Sequence, residues 1–241
     1  MKAMVLAAGL GTRLRPLTND RPKALVELSG RTLLEITLTR LKEFGIRDVV
    51  VNVHHYADAI VSYLQAKANF GMHIEISREE PLLDTGGGLK KAGWFFSGDR
   101  EPFILHNVDV ISSIDFSEML RHHTARQALA TLAVKQRSSS RLLVFDKDLR
   151  LCGRRLVREQ KLEIVRPAEE PMDLAFAGIH AISPSLISML DEDGSFSIIP
   201  SYLRLAGQGE PIFGFRADPY SWRDVGSPEN LREAEVEIGE R

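Results

Sequence analysis

Over its first 114 residues the chain alternates short apolar runs with stretches whose apolar residues recur every three or four positions, and this alternation constrains the fold more than any other feature. The run "KAMVLAA", Lys2 to Ala8, is nearly all apolar, as expected of a strand covered on both faces. "TLLEITLTRLKEFG" carries Leu34, Leu38 and Leu41 on one helical stripe and stops at Gly45. "IRDVVVNV" is the next strand, and "YADAIVSYLQAKANFG" the next helix, with Ala57, Ile60, Val61 and Leu64 facing inward. "MHIEIS" is a third strand, "TGGGLKKAGWFFS" a helix entered through glycines, and "PFILHNVDVI" a fourth strand. Such alternation predicts an α/β fold whose parallel sheet holds its ligand at the carboxyl ends of the strands.

Beyond Ile114 the spacing predicts a helix at "DFSEMLRHHTAR" and strands around Leu129 to Lys135, Leu142 to Phe145, Leu162 to Val165 and Leu174 to Ile182. Two helices, near Ser197 to Gly207 and Pro228 to Glu237, close the pattern. No internal repeat or Gly/Pro/Ser-rich linker divides the chain, so residues 1–241 are expected to form one domain with a front half, 1–114, and a back half, 115–241.

Charge sharpens the picture. The net charge is −2 with a pI near 6.4, which argues against a nucleic-acid or anionic-membrane binder, since these need a broad basic surface. Residues 1–23 nevertheless hold Lys2, Arg13, Arg15, Arg21 and Lys23 against Asp20 alone, a local +4. Cys152 is the only cysteine, which excludes internal disulfides and a cysteine-rich zinc site. The apolar start of about seven residues is at the lower limit for a signal peptide, and no run approaches the roughly 18 needed to span a bilayer. A soluble, cytoplasmic protein is expected.

Glycines directly after a strand let the backbone turn its N–H groups toward a ligand, and nearby cations complete a phosphate cradle. The Walker A pattern fails for want of Gly-Lys-Ser/Thr, and G-x-G-x-x-G fails because Leu14 stands where its third glycine belongs. The longer pattern G-x-G-T-R-L-x-P-x-T, Gly9 to Thr18, followed by Pro22-Lys23, instead resembles the sugar-1-phosphate nucleotidyltransferases. The resemblance extends through Asp84-Thr85-Gly86-Gly87-Gly88, the strand ending in Asp109, "FAGIHAI" from Phe176 and "WRDVGSPENLREAE" from Trp222. Within that family the chain resembles the short N-acetylmuramate 1-phosphate uridylyltransferases and mannose-1-phosphate guanylyltransferases.

The resemblance implies a single-domain Rossmann-like α/β/α sandwich with a mixed, mostly parallel sheet. It also implies transfer of a nucleotidyl group from UTP or GTP to a sugar 1-phosphate, with release of pyrophosphate. The front half would bind nucleotide and the back half the acceptor. Gly9, Gly11, Thr12 and Arg13 would hold the β- and γ-phosphates, and Lys23 the phosphates near the reacting centre. Arg13 offers a planar fork and Lys23 a movable point charge. Asp109 and Asp224, 115 residues apart, would hold Mg²⁺, a hard cation that needs only one or two carboxylates. Glu79 would read the base edge, with Ala7, Ala8, Gly86 and Gly87 forming the slot; one carboxylate fits uracil or guanine, so the base stays open.

Asn107, Arg166 and Gly178 would face the acceptor, Arg166 replacing the lysine of the family's Glu-Lys-Pro segment. Relatives commonly carry glycine before the first metal-binding aspartate; here Val108 stands there, which would strain any left-handed backbone. His106, His122, His123, Arg154 and Arg155 are assigned packing or surface roles, and Trp94 and Trp222 core roles. A non-catalytic nucleotide-binding relative and a choline-phosphate cytidylyltransferase remain alternatives, the latter requiring an aromatic or acidic cage for its quaternary ammonium. The number of subunits is not readable from the chain.

Overall fold

A computed structural model of the protein describes residues 1–239. In chain order the front half runs β1 (Lys2–Leu6), the short strands β2 (Glu27–Leu28) and β3 (Arg31–Thr32), α1 (Leu33–Glu43), β4 (Asp48–Val53), α2 (Ala57–Ala66), β5 (His73–Arg78), α3 (Asp84–Lys91), β6 (Phe103–Asn107) and β7 (Val110–Ser112). The back half continues with α4 (Phe116–Ala125), β8 (Ala130–Lys135), β9 (Arg141–Phe145), β10 (Leu151–Leu156), β11 (Lys161–Ile164), β12 (Met172–Ile182), α5 (Ile198–Gly207), β13 (Ile212–Arg216), β14 (Trp222–Asp224) and α6 (Pro228–Gly239).

One ten-stranded sheet carries the order β11-β10-β9-β12-β6-β1-β4-β5, with β8 joined to β12 and β13 to β8. The pairs β6-β1, β1-β4 and β4-β5 are parallel, as is β13-β8, whereas β12 runs antiparallel to β6, β8 and β9. Leu6 registers with Asn52 on one side and Asn107 on the other, so three carboxyl ends finish level and open onto one cleft. Because β12 lies against β6, the two halves of the chain share one sheet.

Successive residues of β1 enter opposite cores. Ala3 and Val5 pack with Leu34, Leu38 and Leu41 of α1, and Met4 packs with Leu89, Phe96 and Tyr202 on the other face. This two-sided burial explains the unbroken apolar reading of the strand. Helix α1 starts where Thr32 accepts a hydrogen bond from the Glu35 N–H (3.1 Å), and the chain leaves it at Gly45, whose φ of 74° suits the left-handed residue after a helix.

Several sequence expectations need correction. α2 ends at Ala66, since Asn69 and Phe70 take left-handed conformations, and only Ile60 and Leu64 of its four inner residues are fully buried. "PFILHNVDVI" is two strands, β6 and β7, separated by a turn that presents Asp109. Strands β10, β13 and β14 lie outside the strands that the spacing predicts; β14 is only three residues long and β10 carries Gly153-Arg154-Arg155, so neither of these two shows a clear two-residue alternation. Trp94 is 54% exposed rather than a core aromatic, and Trp222 is partly buried. His123 is buried, between Thr131 Oγ1 and Ser183 Oγ (3.0 Å each), not on a solvated face. No helix among the described residues is long and apolar enough to cross a membrane.

Candidate active site

The loop after β1 is fixed by backbone needs. The Ala7 N–H donates to Asn52 Oδ1 (2.7 Å), Thr18 donates to the Gly11 carbonyl (2.8 Å), and buried Leu14 anchors the single turn Thr12–Leu14. Gly11 has φ 65°, and a Cβ there would lie 3.0 Å from Thr18 Cγ2 and 3.1 Å from Lys23 Cβ, so glycine is required twice over. Gly9 is different: a Cβ would meet nothing within 4 Å, which leaves open space above its backbone.

Two aspartates from opposite ends of the chain meet here by strand pairing. β14 runs antiparallel to β7 with Asp224 opposite Val110, and the Val225 N–H donates to the Asp109 carbonyl (2.9 Å). Lys23, with only 13% of its side chain exposed, donates from Nζ to Asp109 Oδ2, while Arg13 Nη2 stands 4.0 Å from Asp109 Oδ2 and 3.9 Å from Asp224 Oδ2. Thus Arg13 faces both proposed metal ligands, and Lys23 faces Asp109. A Cβ on Gly226 would sit 2.7 Å from Asp224 Oδ1, 3.0 Å from Asp109 Oδ2 and 2.7 Å from Arg13 Nη2. The hydrogen of Gly226 therefore leaves a space between two carboxylates, and hard oxygen donors around such a space fit a cation of the Mg²⁺ type. No cluster of three or more acidic, histidine or cysteine ligands occurs among the described residues.

Val108 carries no strain. Its φ is not positive, its side chain is buried in the core, and its N–H donates to the Leu6 carbonyl (3.2 Å). Behind it His106 is fully enclosed; burial pushes its pKa down to about 4, and its ring nitrogen contacts the Asn107 carbonyl at 2.8 Å.

A cavity of about 300 Å³ lies over the ends of β1, β4 and β6, and Ala8, Gly9, Lys23, Asn52, Thr85 and Asp109 are among its walls. Glu79 also lines it, although only 1% exposed. Each of its oxygens already accepts a hydrogen bond, Oε1 from Asn52 Nδ2 (2.6 Å) and Oε2 from the Leu83 N–H (2.9 Å). Glu79 thus braces Asn52, which in turn holds the Ala7 amide, while lining the same cavity. Gly86 and Gly87 do not open the slot either: their missing Cβ atoms would strike the Phe196 ring and the Gly194 carbonyl, each at 2.3 Å. Gly88 is the glycine of the run that faces Glu79 and Asn52: a Cβ there would lie 2.6 Å from Glu79 Oε1 and 2.9 Å from Asn52 Nδ2. Asn52 and Gly226 escaped the sequence reading, although an asparagine ending "VVVN" and a glycine two positions after Asp224 were both visible signals.

On the acceptor side Gly178, φ 75°, lies within the register shift of β12, where a Cβ would fall 2.7 Å from Val110 Cγ2 and 3.0 Å from Asn107 Nδ2. Its role is to let β12 pass under Asn107. Arg166 is misplaced in the sequence reading. Its N–H reaches the Cys152 carbonyl (3.3 Å), and its neighbour Val165 lies beside Gly207, the last residue of α5, where a Cβ would be 3.3 Å from the Val165 carbonyl oxygen. The cleft lies at the other end of that helix, where the Ile198 N–H donates to Thr85 Oγ1 (3.0 Å), so a helix length of about 14 Å separates the two. A second cavity, of about 460 Å³, lies between β9, β10, β12 and the start of α5, with Ser139, Arg141, Arg154, Phe176 and Ser197 in its lining. Ser195 lines the first cavity and Ser197 the second, so one short segment separates them. Arg154 pairs with Glu163 (2.8 Å) and Arg155 with Asp173 (2.5 Å).

A glycine loop, two convergent cations and an acidic pair at the carboxyl ends of a parallel sheet define an enzyme that handles nucleotide phosphates. The sequence profile described as nucleotidyl transferase matches residues 2–241, and the chain belongs to that family. It is a sugar-phosphate nucleotidyltransferase. The N-acetylmuramate alpha-1-phosphate uridylyltransferase of Caulobacter vibrioides is 36% identical over 249 aligned positions, covering 99% of this chain and 97% of the relative. The mannose-1-phosphate guanyltransferase of Candida albicans is 31% identical over 96% of this chain, which spans 62% of that relative's length. Among solved structures, HddC from Yersinia pseudotuberculosis complexed with GMP-PN matches with a TM-score of 0.77 at 20% identity, covering 98% of this chain and 99% of HddC. The inositol-1-phosphate CTP transferase from T. maritima also scores 0.77, at 17% identity, covering 99% and 96%. The last two likenesses establish the fold.

Proposed function

We propose that the protein transfers UMP from UTP to a sugar 1-phosphate that bears a second acidic group, of the N-acetylmuramate 1-phosphate kind, with Mg²⁺ as cofactor. The observation that carries the chemistry is the meeting of Arg13 with Asp109 and Asp224 and of Lys23 with Asp109. An oxygen of the acceptor phosphate forms a bond to the α-phosphorus, the bond from that phosphorus to the bridging oxygen breaks, and pyrophosphate leaves with the electron pair. Two anions must approach for this to happen. Lys23, largely enclosed beside Asp109, supplies a positive charge near the reacting centre, and exposed Arg13 has the reach and the fork to hold the departing phosphates. Asp109 and Asp224 would hold Mg²⁺, which when bound neutralises charge on the phosphate oxygens.

The choice of acceptor rests on the second cavity and on full-length similarity to the Caulobacter enzyme. Arg154 is paired with Glu163 and Glu159 also lines the cavity, so exposed Arg141 is the cation there suited to a carboxylate. The test is pyrophosphate release from a matrix of UTP, GTP, CTP and dTTP with N-acetylmuramate, N-acetylglucosamine and mannose 1-phosphates, each with Mg²⁺ or with EDTA. UTP with N-acetylmuramate 1-phosphate and Mg²⁺ is expected to react fastest. Equal rates with acceptors lacking the carboxylate would remove the acceptor assignment, and undiminished rates in EDTA would remove the metal.

A further inference from the structure

We propose that Arg137 is a positioning residue that ties the strand bearing Asp224 to the acceptor strand, keeping the acidic pair and the second cavity in one register; this rests on Asp109 and Asp224 acting as the cation site proposed above. Arg137 follows β8 by two residues, and its guanidinium carbon lies 4.2 Å from the centre of the Trp222 ring. Its Nη2 donates to the Phe176 carbonyl (2.9 Å) and its Nη1 to the Ser138 carbonyl (3.2 Å), while Trp222 Nε1 donates to the Ala177 carbonyl (2.7 Å). Arg137 and Trp222 therefore stack on each other and grip two successive carbonyls of β12, immediately before Gly178. Trp222 opens β14 and Asp224 closes it, so the stack sits two residues from a carboxylate of the acidic pair.

The electrostatics show that this is more than a packing contact. Arg137 has no carboxylate within ion-pair distance among the described residues, and its buried Nε has no hydrogen-bond partner. Burial disfavours its charge and the Asp224 carboxylate favours it. A half-buried guanidinium satisfied only by carbonyls gains little stability, because the partial desolvation of its charge is repaid only in part. It is an effective way to hold a positive charge and a rigid fork beside a carboxylate whose position matters. Lys135 strengthens the strap: its Nζ donates to the Ala217 (2.8 Å) and Tyr220 (2.5 Å) carbonyls, fixing the segment that leads into β14.

The experiment compares wild type with Arg137→Met and Arg137→Lys, all in a Trp94→Phe background so that Trp222 is the sole indole. Mn²⁺ binding is followed by the electron spin resonance of the free ion and by Trp222 fluorescence, neither of which requires turnover. Steady-state kinetics then separate KM for the acceptor from KM for UTP. Arg137→Met is expected to weaken Mn²⁺ binding and raise the acceptor KM by about tenfold each, as for other residues that orient a metal ligand, with the UTP KM within about twofold. Arg137→Lys, which keeps the charge but loses the fork, is expected to fall between. Unchanged Mn²⁺ affinity in both variants, or an equal rise in both KM values tracking a lower Tm, would overturn the proposal. If Arg137→Met does not fold, the same criteria apply to Arg137→Lys. Wild type that neither binds Mn²⁺ nor releases pyrophosphate would instead overturn the proposed function.

Discussion

The nucleotide side and the acceptor side of the cleft are built on different plans. On the nucleotide side the glycine loop, Arg13 and Lys23 lie within twenty-odd residues, and both cations point at carboxylates. On the acceptor side the cations come from β8, β9 and β10 and most are engaged elsewhere: Lys135 and Arg137 on carbonyls, Arg154 and Arg155 in ion pairs. The contrast teaches that phosphate binding here is a local property of one turn, whereas acceptor choice depends on long-range strand pairing. The largest consequence concerns the one residue that serves both sides. Asp109→Asn should lower kcat by about a thousandfold, because a charge aimed at the reacting phosphates loses its orienting partner and the proposed cation site loses one of its two negative charges. Circular dichroism and Tm should stay near wild type, and a kcat loss below tenfold would sink the acidic pair as the centre of the chemistry.

Glycines divide the two plans further. Gly226→Ala should lower kcat by roughly a hundredfold and raise the Mg²⁺ concentration for half-maximal rate, since the new methyl would lie 2.7 Å from Asp224 Oδ1 and 3.0 Å from Asp109 Oδ2. Gly9→Ala is the control from the loop: with open space around its Cβ, Tm should not change, and any rise in the UTP KM would report a phosphate held against that backbone. Equal Mg²⁺ requirements for Gly226→Ala and wild type would remove the significance of the gap.

A third difference lies beneath the sheet. Burial drives His106 and His123 down to about 4 and His180, which meets the Tyr202 hydroxyl at 2.9 Å, to about 3. A histidine with a depressed folded pKa is protonated more readily in the unfolded chain, so stability is full above about pH 6.5 and falls as pH drops toward the folded values. Each should subtract about 2 kcal/mol by pH 5, seen as a falling midpoint in urea titrations between pH 7 and pH 5. A flat midpoint across that interval would show that these rings are open to water.

What the chain disclosed follows the same division. The β1 loop, the strand to Asp109 and helix α1 were legible because their signals are contiguous: an apolar run, a glycine at positive φ, a stripe of leucines. The pairing of Asp224 with Val110 was legible only through family resemblance, since nothing in residues 222–224 announces a partner more than a hundred residues earlier. The bracing role of Glu79 was not legible, because a carboxylate beside a glycine run looks free in one dimension, and only the fold shows Asn52 and the Leu83 amide on it. Arg166 misled because the motif Val165-Arg166-Pro167 matches in sequence what the fold carries to the other end of α5.

That last case gives the smallest effect and the sharpest discrimination between the two sides. Arg166→Ala should change the acceptor KM by less than about twofold, as expected of a surface position remote from the ligand. Arg141→Ala, which removes an exposed guanidinium from the lining of the second cavity, should raise it by about tenfold, the size expected for a charge-assisted hydrogen bond. The comparison should be run with two acceptors, one bearing a carboxylate and one without it, at saturating UTP. If Arg141 recognises the carboxylate, its loss matters only for the first acceptor, because the second never used the contact. The reverse outcome, with Arg166 sensitive and Arg141 silent, would move the acceptor from the start of α5 to its end and separate it from the acidic pair by the length of that helix.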